Sequence, residues 1–136
     1  NGGKMSKSAN NIINIFLDDK SLRKQVMSIE TDSTPLEDPK NPDTCNAFAI
    51  YSLLANDEQI AAMKANYLGG NYGYGHAKQA LFELICEKFK TERKQYSYYM
   101  NNLTEVDALL KIGAQKASVV ANGVLARVRE KLGFEV

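Results

Sequence analysis

The sequence predicts an all-α protein, a helical bundle preceded by a short irregular segment. Beyond residue 44, apolar residues recur three and four positions apart, which is the spacing of one helix face. All three prolines lie within residues 30–43 and a glycine-rich run covers residues 69–75, so clear breaks separate the helical stretches. With 136 residues, the chain is long enough to bury a core. Helices joined by turns, without strands, indicate an α-bundle.

The N-terminal part is predicted to hold a loop, a short apolar patch and one helix. Residues 1–11 are rich in Gly, Ser and Asn and show no periodicity. Residues 12–17 are mostly apolar, and fit either a brief extended piece or a turn that packs on whatever precedes residue 1. Asp18 or Asp19 suits the N-cap of the first helix. The face that this helix is expected to bury consists of Leu22, Val26 and Ile29.

Two short helices are predicted after an ordered loop or hinge at residues 30–43, where proline blocks regular hydrogen bonding. Thr44 and Asp57 are their expected N-caps. The faces expected to be buried are Ala47, Phe48, Tyr51 and Leu54 in one, and Ile60, Met63 and Tyr67 in the other. Residues 69–75 do not match the G-x-G-x-x-G spacing, so they are predicted to form a turn that admits two aromatic rings.

Two long helices complete the predicted bundle. One runs from about His76 to Asn101. The other begins at a capping-box-like Thr104–Asp107 and ends at Gly133, the expected C′ residue. Apolar or small residues expected on buried faces are Leu81, Leu84, Ile85, Phe89, Tyr96 and Tyr99 in the first, and Val106, Leu110, Gly113, Ala117, Val120, Val124, Val128 and Leu132 in the second.

Composition excludes several classes of protein. The 17 Lys and Arg residues nearly balance the 16 Asp and Glu residues, so a phosphate-binding surface requires local clustering rather than net charge. No apolar run approaches the roughly 20 residues that span a bilayer. Cys45, Cys86 and the single histidine, His76, are too few for a structural zinc site, and no metal site is predicted. Two isolated thiols suit a reducing, cytosolic compartment.

The pentamer Lys4-Met5-Ser6-Lys7-Ser8 carries the clearest chemistry. Gly2 and Gly3 precede it and allow close approach of the backbone to a ligand. Lysine ammonium groups bind phosphate as mobile point charges. The pattern therefore fits a loop that grips a polyphosphate, although a frayed terminal tail is the alternative interpretation.

Several strings together resemble one family. They are Gly3–Ser8, Asn10-Asn11, Ile13-Asn14-Ile15, Lys24-Gln25-Val26, Thr31-Asp32-Ser33, Gly113–Ala117 and Val128–Phe134. The pentamer is similar to the KMSKS signature of class I aminoacyl-tRNA synthetases. The whole chain resembles the C-terminal part of bacterial-type tryptophanyl-tRNA synthetases, with tyrosyl-tRNA synthetases as the nearest sibling.

The resemblance implies a longer parent protein. Its Rossmann-like catalytic domain, with the HIGH-like motif and most of the tryptophan pocket, would lie upstream. Residues 1–17 would be the KMSKS loop and the end of that domain, residues 18–43 a linking helix with the Pro-rich loop, and residues 44–136 a helical domain that binds tRNA and its anticodon. Because the sequence starts mid-motif, it is interpreted as a fragment that is inactive alone.

The resemblance also implies the chemistry. Lys4 and Lys7 would be catalytic, and the five residues of the pentamer would bind the ATP phosphates, with Mg²⁺ carried by the nucleotide. Two cysteines cannot supply the four ligands of the iron–sulfur cluster that some relatives hold. The implied partners are ATP, L-tryptophan and tRNA(Trp), in a cytoplasmic enzyme that is homodimeric at full length and has no membrane contact.

A basic cluster is the predicted tRNA contact. Lys88, Lys90, Arg93 and Lys94 lie near three tyrosines whose rings can stack on bases, namely Tyr96, Tyr98 and Tyr99. The alternative is a solvated charged face with the tyrosines in the core. A non-catalytic RNA-binding helical module is the competing function, and an unrelated α-bundle would leave the strings above unexplained.

Overall fold

The computed structural model describes residues 3–9 and 11–134, and across these ranges it contains helices and no strand. The predicted all-α class is confirmed. The helices are α1 (Asp19–Met27), α2 (Asn46–Leu54), α3 (Asp57–Gly69), α4 (Tyr74–Lys88), α5 (Lys90–Asn101) and α6 (Leu103–Lys131), with a 3-10 turn at Pro42–Thr44. The chain divides into two compact units, Asn1–Arg93 and Lys94–Val136. The division by function at residues 17 and 43 stays a prediction.

The first unit has a closed apolar core. Helices α1 and α2 both pack on α4. Leu22 and Val26 of α1, Phe48 of α2 and Leu81 of α4 are buried there, as their helical spacing predicts. The remaining buried apolar residues are Cys45, Ala47, Tyr51, Met63, Tyr67, Ala77 and Ile85.

The caps of the early helices correct two predictions. Asp18 caps α1 as expected, accepting from the Ser21 amide at 3.0 Å. Thr44 does not cap α2, because Asn41 and Pro42 start a 3-10 turn that contains Thr44. Asp57 is the first residue of α3 rather than its cap. Asn56 takes that place, since its side chain and that of Gln59 form a reciprocal capping box at 2.8 and 3.0 Å.

The Pro-rich loop is held by a buried lysine. Lys40 is 2% exposed, and its Nζ donates to the carbonyl oxygens of Pro35, Leu36 and Asp38 at 2.7, 3.2 and 3.0 Å. Three backbone acceptors replace the water that the ammonium loses on burial. The Lys40 amide also donates to the Tyr67 carbonyl oxygen at 2.7 Å, so the loop is fixed to the end of α3.

The glycine-rich turn behaves as predicted. Gly70 has φ +73°, and a Cβ there would lie 2.4 Å from the Glu37 carbonyl oxygen, so this position requires glycine. The rings of Tyr72 and Tyr74 both contact the buried ring of Tyr67. Their ring centroids lie 5.9 and 6.1 Å from the Tyr67 centroid. The turn therefore admits two aromatic rings.

The predicted helix from His76 to Asn101 is wrong as a single element. Helix α4 ends at Lys88 and α5 begins at Lys90, because Phe89 leaves helical geometry at φ −105° and ψ 20°. The Phe89 side chain packs against the core of the first unit. Neither glycine nor proline marks this break, so the local sequence gives no signal for it.

The second unit corrects the prediction for the last helix. Helix α6 contains no buried residue, and Leu110 and Val120 are 65% and 69% exposed. The face expected to be buried is therefore exposed, and the burial predicted for it is wrong. Its N-cap is Asn102 rather than Thr104, since the Asn102 carbonyl oxygen already accepts from the Glu105 amide at 3.0 Å.

The end of α6 is as predicted. Gly133 has φ +75° and follows the helix as its C′ residue. Its amide donates to the Glu130 carbonyl oxygen at 3.1 Å, and the Phe134 amide donates to that of Arg129 at 2.9 Å. This pair of bonds is a Schellman motif.

Candidate functional site

The loop that carries the pentamer is braced by a single carboxamide. The Asn11 Oδ1 accepts from the Ser6 amide at 2.8 Å, and its Nδ2 donates to the Lys4 carbonyl oxygen at 3.2 Å. Asn11 thus closes the loop across the first half of the pentamer, since an asparagine side chain can bond to nearby backbone and fix a turn. Asn10 and Gly2 lie outside the described residues.

Hydroxyl groups complete the loop. The Ser6 Oγ accepts from the Ala9 amide at 3.1 Å and lies 3.2 Å from the Ser8 Oγ. Ser6 is partly buried, while Lys4, Lys7 and Ser8 are exposed. The serines therefore shape the backbone, and the lysine side chains point to solvent.

Lys4 and Lys7 have no carboxylate partner among the described residues. Their charges are thus not neutralised by acidic side chains in residues 3–9 and 11–134. Two lysines three positions apart on a braced loop present two ammonium groups from a fixed backbone. This arrangement can bind a phosphate chain.

The segment after the loop is anchored to the first unit. The Asn14 amide donates to the Gln25 Oε1 of α1 at 2.9 Å, and Leu17 closes a turn by donating to the Asn14 carbonyl oxygen at 3.3 Å. Ile13, Ile15 and Leu17 pack against the core. Of the two alternatives for residues 12–17, the turn is found, at residues 14–17, and the segment packs against the core of its own unit. Packing of this turn on whatever precedes residue 1 stays a prediction.

A cleft of about 770 Å³ lies beside the loop. Met5 lines it and is 48% exposed, so the described residues cover only part of its side chain. Helices α1 and α2 form another wall, with Lys24 and Ile50 among the lining residues. Binding of the ATP phosphates by the pentamer, Met5 included, stays a prediction.

The four residues of the predicted tRNA contact are in different surroundings. The Lys88 Nζ donates to the Leu54 carbonyl oxygen at 3.0 Å, so it covers the end of α2. Arg93 donates to the Ile15 carbonyl oxygen and to Asp19 Oδ1. Lys90 and Lys94 are exposed. Two of the four side chains thus make hydrogen bonds within the fold. Binding of tRNA by the four residues stays a prediction.

The tyrosines of α5 are at the surface rather than in the core. Tyr96 and Tyr98 are exposed, and Tyr98 contacts the ring of Tyr99 at 5.5 Å. The Tyr98 hydroxyl donates to Glu105 Oε2 at 2.7 Å, and this bond raises the pKa of Tyr98. The alternative that the tyrosines are core residues is therefore wrong for Tyr96 and Tyr98.

The cysteines and the histidine have structural surroundings. The Cys45 Sγ is buried 3.3 Å from the Tyr67 hydroxyl, and burial raises the pKa of Tyr67 above its usual range. The His76 Nδ1 accepts from the Gly73 amide at the start of α4. Within the described ranges, no three His, Cys, Asp or Glu side chains are grouped so that they could hold a metal ion. None of the helices there is long and apolar enough to cross a membrane.

Sequence reasoning missed the anchors of the loop. Gln25 and Arg93 contact the backbone at residues 14 and 15 through the Asn14 amide and the Ile15 carbonyl oxygen, and Arg93 also pairs with the Asp19 carboxylate. A backbone acceptor has no side-chain identity, so such pairings leave no complementary residue to recognise in the sequence.

Comparison with known proteins places the site in a family. The family model described as tRNA synthetases class I (W and Y) matches residues 1–90. The tryptophan–tRNA ligase of Fusobacterium nucleatum is 45% identical over 98% of this chain and 41% of its own length. That of Campylobacter jejuni is 40% identical over 98% of this chain and 42% of its own length. The chain spans about two fifths of the length of these relatives.

Solved structures of the same group of enzymes are similar to this chain. A crystal structure of tryptophanyl-tRNA synthetase from Campylobacter jejuni superposes with a TM-score of 0.94 at 40% identity, covering 98% of this chain and 43% of that one. A second structure of that enzyme, complexed with ADP and tryptophan, gives a TM-score of 0.93 at 40% identity, covering 98% of this chain and 42% of that one.

Proposed function

Because the chain belongs to the class I tRNA synthetases of the W and Y group, we propose that it supplies the ATP-phosphate loop and a helical tRNA-binding part of a tryptophan–tRNA ligase. The whole enzyme would convert tryptophan and ATP to tryptophanyl-adenylate and pyrophosphate, and then transfer the tryptophanyl group to tRNA(Trp). The similarity to tryptophan–tRNA ligases over 98% of the chain favours tryptophan over tyrosine as the substrate. Alone, the chain would be inactive.

The observation that carries this proposal is the braced loop. Asn11 joins the Ser6 amide to the Lys4 carbonyl oxygen, so the backbone between the two lysines is held before a nucleotide arrives. Preorganised positive groups stabilise developing negative charge without a reorganisation cost at the moment of reaction. A frayed tail would lack this bracing.

The proposed mechanism uses the lysines for electrostatic stabilisation. The tryptophan carboxylate attacks the α-phosphorus of ATP, and the bond to the bridging oxygen of pyrophosphate breaks. Negative charge grows on the leaving pyrophosphate, where the Lys7 ammonium would pair with it and Lys4 would support that contact. Ser6 and Ser8 would offer hydroxyl or amide donors to phosphate oxygens, and Met5 would anchor the loop by packing.

The donor set of the loop suits a nucleotide that brings its own metal ion. The loop offers ammonium, hydroxyl and amide groups, and Mg²⁺ prefers oxygen ligands such as carboxylates and phosphates. Mg²⁺ would therefore be held chiefly by the nucleotide's oxygens, where it shares the phosphate charge. The chain's own residues would hold the phosphates.

The helical part would contact tRNA(Trp). Lys90 and Lys94 are exposed and can pair with phosphates, and the exposed rings of Tyr96 and Tyr98 can stack on unpaired bases. Lys88 and Arg93 would add positive charge while keeping their contacts within the fold. The proposal includes a homodimeric, cytoplasmic enzyme at full length, as the family resemblance implies.

Pyrophosphate exchange tests this proposal directly. The full-length protein that contains this chain is assayed for ATP–pyrophosphate exchange with tryptophan and, in parallel, with tyrosine. Exchange that depends on tryptophan alone is the expected result. Exchange with tyrosine alone would assign the sibling activity. Exchange with neither would favour a non-catalytic RNA-binding module.

A further inference from the structure

We infer that Arg93 is a positioning residue for the phosphate loop, and that this role rests on the proposed function. Its side chain is 17% exposed in a cleft that Asp19 also lines. One guanidinium nitrogen donates to the Ile15 carbonyl oxygen, and the other pairs with Asp19 Oδ1. Arg93 is thereby bound to the chain just after the loop rather than held out to solvent.

Two helices grip the same short piece of backbone. From α1, the Gln25 Oε1 accepts from the Asn14 amide at 2.9 Å, and from α5, Arg93 donates to the next residue's carbonyl oxygen. Asn11, three residues before Asn14, closes the loop that carries Lys4 and Lys7. The loop's internal shape and its attachment to the first unit are therefore set by separate groups.

The chemistry of arginine suits this attachment. The guanidinium is a rigid fork that can donate to two acceptors at once, whereas a lysine ammonium is a single point charge on a flexible stem. Asp19 also occupies the first turn of α1, where the helix dipole favours a carboxylate. The ion pair thus fixes the start of α1 and the end of the loop segment together.

Catalysis by positioning is sensitive to such an attachment. A displacement of about 1 Å at reacting groups can cost on the order of 10²-fold in rate. Release of the Ile15 carbonyl oxygen would let residues 11–15 shift and carry the two lysines with them. Loss of Arg93 should therefore lower the rate of adenylate formation more than it weakens substrate binding.

The test compares variants of the full-length protein in tryptophan-dependent pyrophosphate exchange. Arg93→Ala should reduce kcat about 10- to 100-fold while KM for tryptophan changes less than about twofold. Arg93→Lys should give an intermediate loss, since it can keep one of the two contacts. Arg23→Ala is the matched control, because Arg23 lies on α1 and donates to Gln79 rather than to the loop segment.

A double variant separates positioning from instability. If Arg93 acts through the loop, Arg93→Ala should cause little further loss in a Lys7→Ala background, whereas a general loss of folded protein would multiply with it. Thermal unfolding of each variant measures the folded fraction. Additive losses would overturn the inference, and so would unchanged exchange with a raised KM for tRNA, which would make Arg93 an RNA contact.

The exchange activity of the wild-type protein distinguishes failure of this inference from failure of the proposed function. If it exchanges with tyrosine instead, the assigned substrate is wrong and the same comparison with tyrosine still decides the role of Arg93. If it exchanges with neither amino acid, the proposed function and this inference fail together.

Discussion

The two units use apolar residues in opposite ways. In the first, short helices of 9 to 15 residues close around a core in which Leu22, Val26 and Leu81 have no exposed surface. In the second, α6 extends for 29 residues without one buried residue. Both show apolar side chains at helical spacing. The pattern therefore identifies a face, but only the surrounding chain decides whether that face is covered.

The functional groups follow the same division. The braced loop, its anchors and Arg93 all belong to the first unit, whose core fixes their backbone. The exposed tyrosines Tyr96 and Tyr98 belong to the second. The proposed chemistry of ATP thus depends on the part of the chain that packs most completely.

A pair of leucines tests the difference between the units most strongly. Leu81→Ala should lower the free energy of unfolding by about 2–5 kcal/mol, because it removes buried volume from the core. Leu110→Ala is the same substitution on the exposed α6 and should change it by less than about 0.5 kcal/mol. Urea unfolding of the 136-residue chain measures both. Equal losses would show that α6 is covered in solution, contrary to its exposure in this structure.

A pair of lysines tests where the chemistry lies. In the full-length protein, Lys7→Ala should slow tryptophan-dependent pyrophosphate exchange about 10²–10³-fold, the usual effect of losing one preorganised donor. Lys111→Ala, on α6, should leave exchange unchanged. Turnover that survives the loss of Lys7 would remove its catalytic assignment.

The buried Lys40 is expected to stabilise the first unit by a smaller amount. Lys40→Met keeps the stem but leaves the carbonyl oxygens of Pro35, Leu36 and Asp38 without their donor, so the free energy of unfolding should fall by about 1–3 kcal/mol. Lys20→Met, at an exposed position of α1, is the control. Equal denaturation midpoints for the two variants would contradict this role.

The smallest effect on the free energy of unfolding is expected at low pH, from the Asp18 cap of α1. The hydrogen bond from Ser21 lowers the pKa of Asp18 below its usual 3.8, so the folded state favours the ionised cap. This contribution is present above about pH 4 and is lost as the pH falls through the folded pKa. Asp18→Asn keeps a cap without the titration, so its stability should fall less steeply below pH 4. Parallel pH profiles for the two proteins would count against the effect.

The sequence determined the helical class, most element positions and the site loop. Periodicity located the buried faces of α1 to α4, and the pentamer with its neighbouring strings identified the family. The sequence did not predict the break at Phe89, because no residue there is a helix breaker. The break coincides with packing of the Phe89 ring against the core, which is a tertiary contact. Caps also shifted by one or two residues. Asn56 caps α3 with its side chain, whereas Cys45 and Asn102 begin α2 and α6 without a side-chain cap hydrogen bond.

Only the tertiary structure decided what the polar and apolar groups contact. Arg93 was predicted as a tRNA contact from its charge, and the fold brings it to a carbonyl oxygen 78 residues earlier in the chain. Helix α6 was predicted to be buried from its pattern, and the described chain leaves it uncovered. A sequence records which groups can be buried or paired, because these are local properties of side chains. Their partners are set by long-range packing. Where the partner is a backbone atom, residue type does not identify it, because every residue carries a backbone carbonyl oxygen.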